Sequence, residues 1–154
     1  MYSLKRFNLK PVAFAFAAAA VTVVPIYALI ALLIDWWPKP APSDLVLPPI
    51  LLAINVLVIA PVIETYLMVP VLFIFNKITN TDNWSVLLTA IFFSLLHYLF
   101  DLNNPIVVPV ITWGFFVYGK TLIHCKEKRP DSYLWIVMLT HSIANFVTMA
   151  TQWL

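Results

Sequence analysis

Long runs of apolar residues without charged side chains dominate the sequence, and short charged segments separate them. Four runs carry no charge and one carries a single carboxylate, Glu64; the runs are 11–34, 45–75, 84–100, 102–119 and 132–154. A helix needs about 20 apolar residues, with a range of roughly 17 to 25, to cross the hydrocarbon core of a bilayer. The pattern therefore predicts an all-α polytopic membrane protein. We expect a bundle of about five transmembrane helices in a single integral membrane domain over residues 1–154.

Proline residues subdivide the second run, which is longer than one span requires. Pro48 and Pro49 suit the first turn of a helix, whereas Pro61 removes a backbone N–H inside it. We expect this helix to begin near Pro48–Pro49 and to be kinked or re-formed at Pro61. The first run could instead be a secretory signal. Its continuation to residue 34 favours a retained membrane anchor.

The composition excludes several classes of protein. Apolar residues make up 62% of the chain and charged residues only 10%, whereas a soluble domain carries roughly 25% charged residues. That excludes a soluble globule and a disordered chain. A net charge of +2 gives no footprint for nucleic acid, and a single cysteine, Cys125, excludes a disulfide framework.

The basic residues indicate an orientation in the membrane. If the N-terminus lies inside, five spans place eight of the nine Lys and Arg residues on the inner side and only Lys39 outside. Cytoplasmic loops carry the excess of positive charge in membrane proteins. The sequence therefore predicts a multi-pass protein (of the cytoplasmic membrane, in a prokaryote) with its N-terminus cytoplasmic and its C-terminus outside.

Four polar residues lie inside the predicted spans, where burial of a charge costs about 2.5 to 3.5 kcal/mol. They are Glu64, His97, His141 and Asn145. With a rise of about 1.5 Å per residue, all four lie roughly 15 to 21 Å from the inner side. We therefore predict that they meet near the midplane. Each alone also has a structural explanation, as a hydrogen-bonding group between helices.

Two kinds of chemistry fit this set of side chains. Glu64 and His97 can share a water molecule as a general base, while His141 and Asn145 offer donors to an oxyanion. That arrangement would hydrolyse an amide bond without a covalent intermediate and without a cofactor. Alternatively, Glu64, His97 and His141 could hold a Zn2+ ion with one open position for water.

Three short motifs, each inside a predicted span, resemble those of the CPBP intramembrane proteases, the CAAX proteases and bacteriocin-processing enzymes also called the ABI family. Residues 60–68, APVIETYLM, resemble the first motif around Glu64. Residues 93–97, FSLLH, match the second motif, Phe-x-x-x-His, and residues 141–145, HSIAN, match the third, His-x-x-x-Asn. The resemblance covers roughly residues 47–150, which form a CPBP-like catalytic core.

The resemblance implies an all-helical membrane fold and glutamate-dependent hydrolysis of peptide bonds. It also implies that Glu64 and His97 activate water, that His141 and Asn145 stabilise the oxyanion, and that a metal role is an alternative. Two residues and one spacing depart from the family pattern. Pro61 lies one residue farther from Glu64 than in the commonest pattern. Thr65 stands where the family usually has a second Glu, and Val69 where it usually has an Arg. The departure fits either a divergent active subgroup or an inactive relative.

The leading hypothesis is an intramembrane endopeptidase that cleaves a membrane-associated protein or peptide substrate within the lipid bilayer. Glu64, His97, His141 and Asn145 would be its catalytic residues. One alternative is an inactive family relative that acts as an immunity or partner-stabilising membrane protein. A proton-coupled carrier is a further alternative, because midplane Glu and His residues also build proton relays.

Overall fold

The computed structural model describes residues 9–33, 48–100 and 107–152, and within these ranges the chain is helical apart from short turns. The described residues form five helices: α1, Leu9–Leu33; α2, Pro49–Thr79; α3, Asp82–Phe100; α4, Val107–Lys128; and α5, Tyr133–Gln152. Each helix corresponds to one of the five apolar runs. The prediction of an all-α bundle typical of a polytopic membrane protein is confirmed.

Two helices continue beyond the apolar runs that predicted them. The runs end at residues 75 and 119, whereas α2 ends at Thr79 and α4 at Lys128. A helix need not stop where the apolar run stops, because lysine and glutamate are good helix formers. Asn80 ends α2 in the left-handed conformation, with φ of 53°, and its N–H donates to Asn76 O at 2.9 Å.

α2 is not a regular α-helix throughout. It begins at Pro49, contains a π-helical turn over Asn55–Ile59, and resumes as a regular α-helix over Ala60–Thr79. Pro61 is the second residue of the resumed segment, where its missing N–H is tolerated. The expectation that α2 begins near Pro48–Pro49 and re-forms at Pro61 is confirmed.

Three helices are long and apolar enough to cross a membrane by length and composition alone: Lys10–Ala28, Pro49–Thr79 and Tyr133–Ala150. Among the described residues, α3 and α4 are not apolar enough over a sufficient length to meet this criterion. The prediction that these two also span stays a prediction. Large apolar side chains on the outside of the bundle, such as Ile50, Leu99 and Ile78, are about 70% exposed to the surroundings, as expected when the solvent is lipid.

The core of the bundle lies between α2, α3, α4 and α5. Its buried residues are Met68, Leu72, Val86, Ala90, Phe93, Phe115, Tyr118, Leu122, Val137 and Ala144. α3 and α4 pack closely along their lengths, and Gly119 makes this possible. A methyl group added at Gly119 would lie only 2.9 Å from Val86 Cγ1, so α4 presents bare backbone to α3 there.

Candidate active site

Glu64 lies on α2 just after the π-helical turn and faces the interior of the bundle, with 20% of its side chain exposed. Its two carboxylate oxygens point to two different helices. Oε1 lies 3.5 Å from His97 Nε2 on α3, and Oε2 lies 3.5 Å from His141 Nε2 on α5. The carboxylate therefore lies between two imidazoles, and residues separated by up to 77 positions in sequence are brought into contact.

The contact made by the second ring nitrogen of His97 identifies the tautomer of its neutral imidazole. Nδ1 lies 2.8 Å from the backbone oxygen of Phe93, one turn earlier on α3. A carbonyl oxygen can only accept a hydrogen bond, so Nδ1 carries a proton and acts as the donor. In the neutral imidazole, Nε2 is then the nitrogen with the lone pair, and it faces Glu64.

His141 is more deeply enclosed, with 7% of its side chain exposed compared with 28% for His97. The ring of Tyr118 stacks on its imidazole, with centroids 4.4 Å apart and planes at 28°. Phe115 meets His141 edge-on at 5.9 Å and lies 5.6 Å from His97. Two aromatic residues of α4 thus fix the positions of both imidazoles. They could not be predicted from the sequence, because one more aromatic residue in an aromatic-rich span gives no signal.

Asn145 lines the same cavity, but its amide is engaged with the backbone of α2. Its Nδ2 donates to Val56 O at 2.9 Å. In a regular α-helix that oxygen would accept from the N–H of Ala60, but in the π-helical turn Ala60 N–H donates to Asn55 O instead. The next residue, Pro61, has no N–H to offer. Asn145 therefore satisfies a carbonyl that the irregular helix leaves unpaired.

These groups surround a cavity of about 420 Å³ inside the bundle. All five helices contribute to its wall. Its polar residues are Thr22, Glu64, His97, Tyr118, His141, Asn145 and Thr148, and the rest of the wall is apolar. A larger cavity of about 660 Å³ lies between the ends of α2 and α4 and the starts of α3 and α5, but no histidine lines it. The smaller cavity is therefore the better candidate for a reaction site.

Comparison with known families decides what kind of protein carries this cavity. Residues 46–147 match the family model described as type II CAAX prenyl endopeptidase Rce1-like. The chain belongs to the Rce1-like family. No curated protein and no solved structure matches the chain.

Membership in the Rce1-like family assigns the chain to the CAAX-type intramembrane endopeptidases in general. It is an integral membrane protein of a protease family whose substrates are membrane-associated proteins. This family is the one that the three sequence motifs indicated.

The two positions at which the first motif departs from the family pattern lie outside the cavity. Thr65 is 2% exposed and lies on the face of α2 that also buries Pro61 and Met68. Val69 packs against the apolar core and lines the larger cavity instead. Neither residue contributes to the wall around Glu64. Their departure from the pattern therefore leaves that wall intact.

No metal-binding group is recognisable in the part of the chain that the structure describes: no three or more His, Cys, Asp or Glu side chains are arranged to hold an ion. Glu64 divides its two oxygens between two imidazoles, whereas a zinc site directs at least three donor atoms at one point. The zinc alternative stays a prediction.

Proposed function

We propose that this Rce1-like protein is an intramembrane endopeptidase in which Glu64 and His97 activate a water molecule. It would hydrolyse a peptide bond in a membrane-associated protein or peptide. The observation that carries the proposal is the Glu64 carboxylate, held 3.5 Å from each of two imidazoles inside a cavity of the bundle. Carboxylate and imidazole are the groups that general base catalysis uses most often.

The position of the attacking water follows from the two acceptor atoms. Glu64 Oε1 and the Nε2 of neutral His97 both accept hydrogen bonds, and they lie 3.5 Å apart. Because hydrogen bonds to water are about 2.8 Å long, one water molecule can donate one hydrogen to each atom. Its oxygen lone pairs would then face the open part of the cavity, where a scissile carbonyl carbon can approach.

The reaction needs a donor for the oxygen that becomes negatively charged. When water attacks, Glu64 accepts a proton from it and the carbonyl electron pair moves on to the oxygen. His141 and the second amide hydrogen of Asn145 are donors that can stabilise this oxyanion. The intermediate then collapses: the C–N bond breaks and the amine nitrogen takes the proton from Glu64. The products are a carboxylic acid and an amine, and the enzyme returns to its starting state.

The proposal is tested by substituting the proposed general base in purified, detergent-solubilised protein. The probe is an internally quenched peptide with a prenylated cysteine and the C-terminal pattern Cys-aliphatic-aliphatic-any residue, which the family description indicates. We expect Glu64→Gln and His97→Ala each to lower kcat by at least about 10²-fold, because general base catalysis contributes 10²–10⁴-fold.

The matched control is Glu127→Gln, which removes an exposed glutamate at the larger cavity and should retain the wild-type rate. Hydrolysis by Glu64→Gln at the wild-type rate would contradict the proposal. So would wild-type protein that never cleaves the probe, which would favour an inactive relative.

Metal dependence is tested separately. If zinc takes part, Glu64, His97 and His141 are the residues that would hold it, and the ion would polarise the bound water. In the reaction proposed above, prolonged dialysis against a chelator leaves kcat unchanged. Loss of activity that added Zn2+ restores, together with one zinc per chain by elemental analysis, would replace the metal-free reaction by a zinc-assisted one.

We also propose that the N-terminus and the basic ends of the helices face the cytoplasm. The start of α1 lies beside the end of α4, because the rings of Phe14 and His124 stack at 5.4 Å. Asn76, Asp82 and Lys126 line one cavity at the same end. This common end holds Lys77, Lys120, Lys126, Lys128 and Arg129, and positive charge is retained in the cytoplasm. An Asn80→Cys variant should react with a membrane-impermeant maleimide only after cells are permeabilised.

A further inference from the structure

We propose that Tyr118 is a further catalytic residue, whose hydroxyl group donates a hydrogen bond to the oxyanion formed in the cavity. The inference rests on the proposed function and names a group that the family motifs do not include. Tyr118 is 5% exposed, lines the cavity, and stacks on His141 at 4.4 Å. The ring therefore lies beside the space that a substrate would occupy next to His141.

The hydroxyl end of Tyr118 points back along α4 into the cavity. Its Cε2 and Cζ atoms lie 3.8 and 3.9 Å from the position that a Cβ of Gly114 would occupy, and Thr22 of α1 lies at 3.8 Å from the same point. Long side chains on helices point toward the N-terminus in this way. Because Gly114 has no side chain, the space above it is open to the phenol group.

The hydroxyl has no hydrogen-bond partner among the described residues. It is also absent from the buried polar atoms that lack a partner, which are Thr65 Oγ1 and Arg129 Nη1. The Tyr118 oxygen is therefore accessible from the cavity. A buried tyrosine usually places its hydroxyl against a partner, so a hydroxyl that opens on to a cavity is available to a bound molecule.

Most of the other donor hydrogens in the cavity already have partners. Asn145 Nδ2 donates one hydrogen bond to Val56 O, and His141 Nε2 faces Glu64 Oε2. The hydroxyl groups of Thr22 and Thr148 donate to the carbonyls of their own helices, at 2.9 and 3.0 Å. Besides the second amide hydrogen of Asn145, the phenol hydroxyl of Tyr118 is thus a neutral donor that needs to break no existing contact to bind an oxyanion. Preorganised donors of this kind stabilise developing charge best, because no reorganisation accompanies the reaction.

The test compares Tyr118→Phe with the wild-type protein on the same quenched prenylated peptide. Phenylalanine keeps the ring that stacks on His141 and removes only the hydroxyl. We expect kcat to fall by about 10²-fold, since loss of one oxyanion donor costs 10²–10³-fold, and KM to stay within about two-fold. Tyr118→Leu, which also removes the stacking ring, should lower kcat further.

The control variant is Tyr133→Phe. Tyr133 lies at the start of α5 and lines the larger cavity, so its hydroxyl is remote from Glu64. We expect it to keep the wild-type kcat, and both phenylalanine variants to keep the wild-type Tm in detergent. A merely structural role for Tyr118 would lower the Tm and leave kcat of the folded fraction unchanged, which would overturn the inference.

The possible failures are distinguishable. If Tyr118→Phe retains the wild-type kcat while Glu64→Gln is inactive, Tyr118 is not an oxyanion donor and the proposed function stands. A rise in KM without a fall in kcat would also overturn the assignment, because the hydroxyl would then bind the ground state equally well. If Glu64→Gln is fully active, the proposed function itself fails.

Discussion

The two glycines of α4 lie in regions of opposite character, although only five positions separate them. Gly119 lies in the close-packed core, where an added methyl group would come within 2.9 Å of Val86. Gly114 lies at the wall of the cavity, where the nearest atoms are 3.8 Å away. The core has no room for an added methyl group and holds α2 to α5 together. The cavity, in contrast, leaves open space beside Glu64. Neighbouring turns of the same helix thus contribute to stability and to the candidate site.

The comparison predicts its largest effect on stability at the largest fully buried side chain of the core. Met68 is 1% exposed, and Met68→Ala should lower the free energy of unfolding by about 2–5 kcal/mol because it leaves an unfilled space. Met149→Ala at the half-buried cavity wall should cost much less. Thermal unfolding in detergent, followed by tryptophan fluorescence, measures both. Equal losses would mean that core and cavity wall are packed alike.

A smaller effect is expected at the two glycines themselves. Gly119→Ala should lower the free energy of unfolding by about 1–3 kcal/mol, the usual cost of overpacking, because the stiff Val86 side chain cannot turn away easily. Gly114→Ala meets only ordinary van der Waals contacts and should leave the Tm within error. The same unfolding measurement tests the pair, and a tolerated Gly119→Ala would contradict the close contact between α3 and α4.

The next prediction concerns the link between α5 and the irregular part of α2. Asn145→Ala should destabilise the protein by about 1 kcal/mol, because Val56 O loses its donor and hydrogen bonds between membrane helices average roughly 0.6 kcal/mol. Expressed as free energies, the effect of Asn145→Ala on kcat should be larger than its effect on stability. Asn76→Ala, which removes an exposed amide that donates to Asp82, is the control and should change neither property.

The smallest effect is expected at Thr65, which follows the proposed general base in sequence but does not line the cavity. Its Oγ1 is buried without a partner, so Thr65→Val removes a desolvated polar group at nearly constant volume. We expect the free energy of unfolding to stay within about 0.5 kcal/mol or to rise slightly, with unchanged hydrolysis. A marked loss of activity would place Thr65 in the reaction after all.

Much of the fold could be predicted because membrane helices are recognisable in a sequence as long uncharged apolar runs. Uncharged runs gave the five helices, since lipid offers no partner for unpaired backbone groups and only regular helices satisfy them internally. The irregular part of α2 was visible through Pro61. The ends of α2 and α4 could not be predicted from the charge pattern, because a polar helical end and a polar loop have similar compositions.

Part of the candidate site could likewise be predicted from the sequence, and part could not. A constant rise per residue placed Glu64, His97 and His141 at one depth, and the structure places their side chains in contact. The hydrogen bond from Asn145 to Val56 O could not be predicted, because it depends on a carbonyl left unpaired by a π-helical turn. Nor could the role proposed for Tyr118, since one more tyrosine in an aromatic-rich span gives no signal.

The sequence by itself determined three properties: that the chain is a membrane protein, which residues form its helices, and which family it belongs to. Each of these depends on the local order of apolar, charged and motif residues. Only the tertiary structure decided which faces of those helices meet. Rotation of a helix about its axis is set by packing against its neighbours. That rotation alone directs Glu64 to two histidines and Thr65 into the core.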